Sequence, residues 1–176
     1  MKNLIFVNGT MGVGKTETCR HLKSIITPSV FLDGDWCWDM QPFTVNDETK
    51  DMVIDNISHV LANFLNCTAF DNVIFCWVMH ERSIVDSILE RIDANEEYRF
   101  FLFTLTASEN ALVSRLTKDI EAGKRKSDVI ERSLERASHY KNMGSIVVDV
   151  SAVSAACAAE YIADVIKKSR FLNENN

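Results

Sequence analysis

The sequence contains few of the residues that interrupt regular secondary structure. Only two prolines and six glycines occur in 176 residues, whereas 47% of the residues are apolar. Such a composition argues against disorder, and the length is sufficient to bury one hydrophobic core. Because no Pro- or Gly-rich linker divides the chain, we expect residues 1–176 to form a single domain.

Long apolar runs and paired cysteines are also missing. No apolar stretch approaches the roughly 18 residues that a membrane-spanning helix needs, and no signal-like apolar block precedes the first glycine-rich segment. The five cysteines are scattered and form no C-x-x-C pair. We therefore expect a cytoplasmic protein with reduced thiols and without a membrane partner.

An excess of positive charge is absent as well. The formal net charge of -6 makes a nucleic-acid partner unexpected. Basic residues are nevertheless concentrated between Arg115 and Lys141, with acidic residues interleaved among them. This pattern is typical of a solvated helix pair joined by ion pairs, and equally of a mobile lid that carries phosphate-facing cations.

The most informative segment that is present is G-T-M-G-V-G-K-T at residues 9–16, which matches the Walker A or P-loop motif G-x-x-x-x-G-K-[ST]. An apolar strand-like run at 4–7 precedes it, and a helical pattern at 16–26 follows. Glycines let the backbone curl with its N–H groups inward, and the helix N-terminus adds positive potential. Lys15 can then reach the β- and γ-phosphates, and Thr16 can hold Mg²⁺.

The motif therefore predicts ATP and Mg²⁺ as cofactors. In this pattern the side chains of Thr10, Met11 and Val13 are free spacers. The predicted nucleotide-binding residues within the loop and the first helical turn are Gly9, Met11, Gly12, Val13, Gly14, Lys15, Thr16 and Glu17.

The remaining hydrophobic pattern predicts an α/β fold. Continuous apolar runs at 4–7, 30–32, 73–78, 100–105 and 146–150 are typical of parallel strands buried on both faces. Helical periodicity between them indicates a five-stranded parallel sheet flanked by helices in three layers. The predicted helices cover 16–26, 47–66, 81–92, 107–121, 128–142 and 153–168.

Three details of these helices can also be predicted. Asn46 is a candidate N-cap of the helix at 47–66. Thr106 with Glu109 forms a capping-box pattern for the helix at 107–121. The polar tail at 173–176 is expected to fray.

Two acidic residues follow the second strand in the segment F-L-D-G-D. Carboxyl ends of parallel strands face the ligand crevice, so Asp33 and Asp35 are expected near the P-loop. One acid could accept a proton from an acceptor hydroxyl while the other orders the hydration shell of Mg²⁺. The alternative is an ordinary Asp-Gly turn.

The third strand lacks the acidic residue that many P-loop proteins place at its end. Mg²⁺ would therefore depend on Thr16, the phosphates and the Asp33/Asp35 pair. Asp149 follows the last apolar run but lies late in the chain, and we interpret it as a capping or loop residue. Neither an N-K-x-D motif nor a suitably placed D-x-x-G segment is present, which weighs against a GTPase.

Aromatic residues follow the acidic pair directly. Trp36, Trp38, Met40 and Phe43 either wall an acceptor pocket or form a hydrophobic plug under the second helix. His80, at the end of the third strand, either contacts an acceptor or is a surface or capping residue.

The segments GTMGVGKT and FLDGD, together with the L-V-S-R-L helix that leads to a basic lid, resemble the small P-loop kinases. This group includes shikimate kinase, gluconate kinase, chloramphenicol phosphotransferase and the tunicamycin-resistance ATP-binding proteins. The resemblance implies that Asp33 is the acceptor-side base, that Arg115 lies beside adenine, and that Arg125 or Lys126 is the cation of a lid at about 117–136. Thr117-Lys118 stands where the group has a second lid arginine, so the identity of the lid cation stays open.

These features predict an ATP- and Mg²⁺-dependent phosphotransferase that acts on a hydroxyl group of a small molecule. Lys15, Asp33 and Arg125 are its expected catalytic residues, with Thr16 and Asp35 on the metal. The alternative is a nucleotide-binding sensor or resistance ATPase without a dedicated small-molecule acceptor. The sequence indicates no particular oligomeric state.

Overall fold

Five parallel strands form the centre of the computed structural model, which describes the backbone of residues 1–173 and the side chains of residues 1–169. The strands are β1 (Lys2–Asn8), β2 (Ser29–Asp33), β3 (Asn72–Cys76), β4 (Tyr98–Thr106) and β5 (Ile146–Asp149). Their order in the sheet is β2-β3-β1-β4-β5. The central strand β1 places Ile5 opposite Ile74 of β3 and Phe101 of β4. The predicted five-stranded parallel sheet is confirmed.

Within residues 1–173, six α-helices surround the sheet: α1 (Lys15–Ile25), α2 (Asp47–Asn66), α3 (Arg82–Glu90), α4 (Glu109–Glu121), α5 (Val129–Ala137) and α6 (Ala155–Asn173). Two 3-10 helices, Gly34–Trp38 and Ser138–Asn142, follow β2 and α5. Buried residues of α1 and α6 pack on one face of the sheet, and those of α2 and α3 pack on the other. The predicted α/β architecture with a helical layer on each face is confirmed. Of the predicted frayed tail, Asn173 belongs to α6, and residues 174–176 lie outside the described residues.

Helix α2 has the predicted bounds, Asp47–Asn66, because its start is encoded locally. The Asn46 side chain accepts a hydrogen bond from the Thr49 amide, and the Thr49 hydroxyl accepts one from the Asn46 amide. This reciprocal pair satisfies two amides at the helix start. Asn46 is therefore confirmed as the N-cap.

The predicted capping box of α4 was wrong. Thr106 remains in β4, where it is paired with Asp149 of β5, so it cannot begin the helix. Ser108 takes the N-cap position instead, and its hydroxyl accepts a hydrogen bond from the Ala111 amide at 3.4 Å.

The segment predicted as one helix at 128–142 is divided. Helix α5 ends at Ala137 and a 3-10 helix continues to Asn142. Tyr140 lies in this more tightly wound segment, and its hydroxyl donates to the carbonyl of Val78 at 2.5 Å. Strand β3 also ends early, at Cys76, opposite Asp33, the last residue of β2.

The carboxyl ends of β1, β2 and β3 meet at one edge of the sheet because the strands are parallel. β1 leads into the P-loop, β2 into Asp33 and Asp35, and β3 into His80. Within residues 1–173 no helix has both the length and the apolar character to cross a membrane. All five cysteines are free thiols.

Candidate active site

Three glycines give the P-loop its shape. Gly9, Gly12 and Gly14 have φ angles of 142°, 78° and 106°, which side chains disfavour. A Cβ at Gly9 would lie 2.5 Å from the carbonyl oxygen of Leu105, and one at Gly12 would lie 2.5 Å from the side chain of Leu116. The loop therefore needs glycine at Gly9 and Gly12 for both space and backbone conformation.

The Lys15 ammonium lies across the loop. Its Nζ donates to the carbonyl oxygens of Gly9 at 2.8 Å and Thr10 at 3.0 Å. Burial lowers the pKa of Lys15, while the nearby Cys76, Asp35 and Asp33 groups oppose that shift. Both predicted acids therefore lie close enough to Lys15 to stabilise its positive charge.

Asp33 is bound to the first turn of α1. The Thr16 hydroxyl donates to Asp33 Oδ2 at 2.7 Å, and the Asp35 amide donates to Asp33 Oδ1 at 3.2 Å. Asp33 is buried, whereas Asp35 is exposed. An ordinary Asp-Gly turn explains one of these bonds, the cap that Asp33 provides for the 3-10 helix. It does not explain the second bond, which joins Asp33 to Thr16 of the P-loop.

The glycine between the two acids permits close approach of a tryptophan. A Cβ at Gly34 would lie 2.5 Å from Cγ of Trp77. Trp77 Nε1 donates to Asp35 Oδ1 at 3.1 Å, which orients the exposed carboxylate. In the sequence Trp77 is only one residue of the apolar run at 73–78, and its bond to Asp35 could not be predicted because the two residues are 42 positions apart.

Oxygen donors suited to Mg²⁺ are present beside the P-loop. The Thr16 hydroxyl and the Asp33 carboxylate are hard ligands of the kind that Mg²⁺ combines with substrate phosphates. No group of three or more His, Cys, Asp or Glu residues suited to a metal ion occurs in the described part of the chain. The donor set thus fits a Mg²⁺ ion that arrives with a nucleotide.

The last residue of β3 is Cys76, at the position where many P-loop proteins have an acidic residue. The Sγ atom of Cys76 lies 4.0 Å from the Thr16 hydroxyl oxygen, and a thiol is a poor ligand for Mg²⁺. Asp149 accepts hydrogen bonds from the amide and hydroxyl of Ser151, which lower the pKa of its carboxyl group. Its carboxylate therefore closes a local turn at the end of β5.

Arg115 joins the P-loop to the end of β5. Its guanidinium donates to the Val13 carbonyl at 3.1 Å and to the Val150 carbonyl. A pocket of about 230 Å³ opens beside it. Its lining consists of P-loop, α1, α4 and β5–α6 residues, namely Val13, Gly14, Thr18, Arg115, Val150, Val153, Ser154 and Ala155.

The predicted lid at about 117–136 consists of the end of α4, the turn at 122–128 and α5. Arg125 donates to Asp119 at 3.3 Å, and its positive charge lies near enough to Lys15 to lower the pKa of that amine. Lys126 is exposed in the same turn.

The Glu17 side chain lies on the exposed surface of α1, where it pairs with Arg20 at 3.5 Å.

The prediction that Thr10 is a free spacer was wrong. Its hydroxyl donates to the carbonyl of Ser133 in α5 at 2.7 Å, and the Ser133 hydroxyl donates to the carbonyl of Met11 at 2.7 Å. Both side chains are buried. A signal existed in the sequence, because Ser133 follows Val129 by four residues and so falls on the same buried face of α5.

The predicted aromatic cluster is divided between the two faces of the sheet. Trp38 lies with its ring centroid 5.7 Å from that of Trp77 and 5.8 Å from that of Phe43. Trp36 instead contacts Phe31 at 5.6 Å, and Phe31 belongs to the core on the α1 side. Trp38 and Phe43 therefore lie with Trp77 on the α2 side of the sheet, and Trp36 does not join them.

His80 lies beside the 3-10 helix that follows α5. Its ring centroid is 5.8 Å from that of His139. Burial lowers the pKa of His80, and the charges of Arg136 and His139 lower it further, whereas Glu81 raises it. The preceding residue, Met79, has a φ of 33°, and its carbonyl accepts a hydrogen bond from Asn8 at 3.1 Å.

A family model described as an AAA domain matches residues 5–142. The chain belongs to this family. The match contains the P-loop, the acidic pair, the aromatic segment, the lid and His80. No curated protein matches this AAA-domain chain.

Solved structures of a tunicamycin resistance protein and of two small kinases share the fold of this chain. The tunicamycin resistance protein of Deinococcus radiodurans has a TM-score of 0.68 at 16% identity, covering 94% of this chain and 96% of its own. The gluconokinase of Sinorhizobium meliloti 1021 has a TM-score of 0.65 at 17% identity, covering 95% and 97%. The shikimate kinase of Acinetobacter baumannii, solved with shikimate, has a TM-score of 0.64 at 16% identity, covering 96% and 94%. The predicted resemblance to the small P-loop kinases is confirmed at the level of the fold.

Proposed function

We propose that this chain is an ATP- and Mg²⁺-dependent phosphotransferase that acts on a hydroxyl group of a small molecule. The observation that carries the proposal is the bond of 2.7 Å between Thr16 of the P-loop and Asp33, beside the exposed Asp35. A loop that binds phosphates thus adjoins a carboxylate that is accessible to a second substrate. The fold likeness to a gluconokinase and a shikimate kinase supports the same class of reaction.

The nucleotide would be held by backbone amides and cations at one end of the sheet. Amides of residues 9–16 would bind the phosphates, with Lys15 at the β- and γ-phosphates. The pocket beside Arg115 would receive adenine. Mg²⁺, held by Thr16 and Asp33 with the phosphates, would neutralise charge on the transferring group.

The two acids would have different roles, one on the metal side and one on the acceptor side. The geometry favours the reverse of the assignment implied by the family resemblance, in which Asp33 is the acceptor-side base. Asp33 is buried and bound to Thr16, which suits the metal side. Asp35 is exposed and held by Trp77, which suits the acceptor side. In the transfer, the acceptor oxygen bonds to the γ-phosphorus as the bond to the leaving ADP oxygen breaks, and Asp35 accepts the hydroxyl proton.

Arg125 is the lid cation that we assign to the transferring phosphoryl group. Among the two candidates, it is the one whose charge acts on Lys15. Closure of the lid would bring it over the phosphates and exclude water from the transfer.

The test is Mg-ATP to ADP turnover by the purified protein, with and without pools of nucleosides, sugar acids, shikimate-like alcohols and antibiotics. One or more pools should raise turnover at least tenfold above the acceptor-free rate. Lys15→Ala should abolish it, and Lys23→Ala, which changes an exposed lysine in the last turn of the same helix, should not. Failure of Mg-ATP to bind would refute the proposal.

A nucleotide sensor without a small-molecule acceptor is the second candidate. Cys76 favours it, because a thiol rather than a carboxylate ends β3 beside Thr16. A sensor would bind Mg-ATP tightly, and no pool would stimulate turnover. The same experiment therefore separates the two functions.

A further inference from the structure

The side chains that line the pocket beside Arg115 are mostly apolar. Apart from the Arg115 guanidinium and the hydroxyl groups of Thr18 and Ser154, the lining side chains are aliphatic, and Gly14 has none. No carboxylate and no side-chain amide occurs among these lining residues. The pocket therefore offers surface to the two faces of a flat ring and few polar groups to its edge.

The Arg115 guanidinium is held in one orientation by the protein itself. Its two terminal nitrogens donate to the carbonyl oxygens of Val13 and Val150, and these two bonds fix the plane of the group. A guanidinium held in this way presents a flat face on which an aromatic ring can stack. Any N–H group that it still offers to a base can meet only an acceptor, and adenine and guanine share the acceptor N7.

The two hydroxyl groups of the pocket do not select one base. The Ser154 hydroxyl accepts a hydrogen bond from the Cys157 amide at 3.2 Å, at the start of α6. Thr18 is buried, and a threonine hydroxyl either donates or accepts a hydrogen bond. The same group can therefore pair with the amine on the edge of adenine or with the carbonyl on the edge of guanine.

Backbone carbonyls of the lining are already engaged. Four of them accept hydrogen bonds from the protein, namely those of Val13, Gly14, Val150 and Ser154. An amine on a base would have to compete with these bonds. At the outer rim of the pocket Val153 is 43% exposed, so water meets a base there and can pair with the edge of either purine.

Adenine and guanine have the same double ring and differ in the groups on its edge. Strong discrimination between such ligands requires buried polar groups that the wrong ligand leaves unpaired. The lining described above provides stacking and apolar contact instead. The sequence also lacks the guanine-reading N-K-x-D motif, so a preference for guanine is not expected either.

We infer that GTP serves as a phosphoryl donor as well as ATP, because this pocket holds the faces of a purine and does not read its edge. The inference rests on the proposed function, since it defines the donor of that reaction. With either donor, the acceptor oxygen bonds to the γ-phosphorus as the bond to the leaving ADP or GDP oxygen breaks, and the hydroxyl proton passes to Asp35.

The test is calorimetry with Mg²⁺ and the β,γ-imido analogues of ATP and GTP, with inorganic tripolyphosphate as the probe that lacks a base. The Kd values of the two analogues should differ by less than about fivefold, and both should lie at least about fivefold below that of tripolyphosphate. A larger difference between the two analogues in either direction overturns the inference. Binding of tripolyphosphate as tight as that of the analogues would also overturn it, since the base would then make no contact.

Variants distinguish contact with the faces from reading of the edge. Val153→Ala should raise the Kd of both analogues by the same factor, and Val147→Ala, at an exposed valine of β5 outside the pocket lining, should change neither. Thr18→Val removes the buried hydroxyl and keeps the shape of the side chain, so the ratio of the two Kd values should stay the same. A change of that ratio by about fivefold or more in Thr18→Val would identify a hydroxyl that reads the edge and would contradict the inference.

Binding of the ATP analogue separates this inference from the proposed function. If the wild-type protein binds the ATP analogue with Mg²⁺ and discriminates against the GTP analogue, the inference is wrong and the phosphotransferase proposal stands. If neither analogue binds, the proposed function fails and the inference fails with it.

Discussion

Thr10 of the P-loop and Ser133 of α5 are joined through two contacts. The Thr10 hydroxyl donates to the Ser133 carbonyl at 2.7 Å, and the two hydroxyl oxygens lie 3.0 Å apart. Helix α5, which belongs to the predicted lid, is therefore attached to the P-loop by buried polar groups. We expect a change in the P-loop on nucleotide binding to act on α5 through Ser133.

Removal of this attachment should weaken both the fold and nucleotide binding. Ser133→Ala leaves the part-buried carbonyl of Met11 without its donor and removes the buried contact with the Thr10 hydroxyl, so the free energy of unfolding should fall by about 1–3 kcal/mol. The Kd for Mg-ATP should rise severalfold. Urea unfolding and calorimetry measure the two effects. Ser138→Ala, at an exposed serine just after α5, should change neither, and equal effects of both variants would contradict a specific role for Ser133.

The two acids should respond differently to metal concentration. Asp33→Asn should raise the Mg²⁺ concentration needed for half-maximal turnover, because Asp33 is bonded to Thr16. Asp35→Asn should lower kcat by about 10²–10⁴-fold, the range of general base catalysis, with the Mg²⁺ requirement unchanged. Initial rates over a Mg²⁺ series with the best acceptor distinguish the assignments. The opposite pattern would restore Asp33 to the acceptor side.

Gly34 should be intolerant of any side chain because Trp77 fills the space. A Cβ at Gly34 would lie 2.5 Å from Trp77 Cγ, and overpacking of this kind costs about 1–3 kcal/mol. Gly34→Ala should lower the free energy of unfolding by that amount and reduce turnover, since Trp77 orients Asp35. In a double-mutant cycle, Gly34→Ala combined with Trp77→Ala should be less destabilising than the sum of the single changes. Strict additivity would show that the two residues do not compete for space.

Most of the fold could be predicted because its signals are local. The apolar runs and the periodicity of α2 predicted strands and helices, and Asn46 with Thr49 encodes the helix start within four residues. The P-loop was also predictable, because glycines with positive φ and a following Lys-Thr form a contiguous motif. Where tertiary contacts override local preference, prediction failed. Thr106 has a good capping pattern but is held in β4 by pairing with Asp149.

The parts of the candidate site that could not be predicted depend on distant residues. Thr10 and Ser133 are 123 positions apart, and Asp35 and Trp77 are 42 apart. Helical spacing can indicate that Ser133 is buried, but no periodicity or spacing identifies Thr10 as its partner. The aromatic segment shows the same limit, since Trp36 and Trp38 are only two positions apart but the 3-10 helix turns them to opposite faces of the sheet.

His80 should make stability depend on pH in a defined direction. Burial, Arg136 and His139 lower its pKa against the weaker opposing effect of Glu81, so the unfolded chain binds a proton more readily than the folded protein. Its contribution should therefore be intact above the ordinary histidine pKa of about 6.5 and be lost as pH falls below that value toward the folded pKa. The difference in unfolding free energy between wild type and His80→Gln, measured from pH 5 to 8, should shrink as pH falls. NMR titration of the His80 ring should give a midpoint below about 6.5, and Arg136→Met should move that midpoint upward. A midpoint above the ordinary value, or one unchanged by Arg136→Met, would show that the Arg136 charge does not act on the His80 ring.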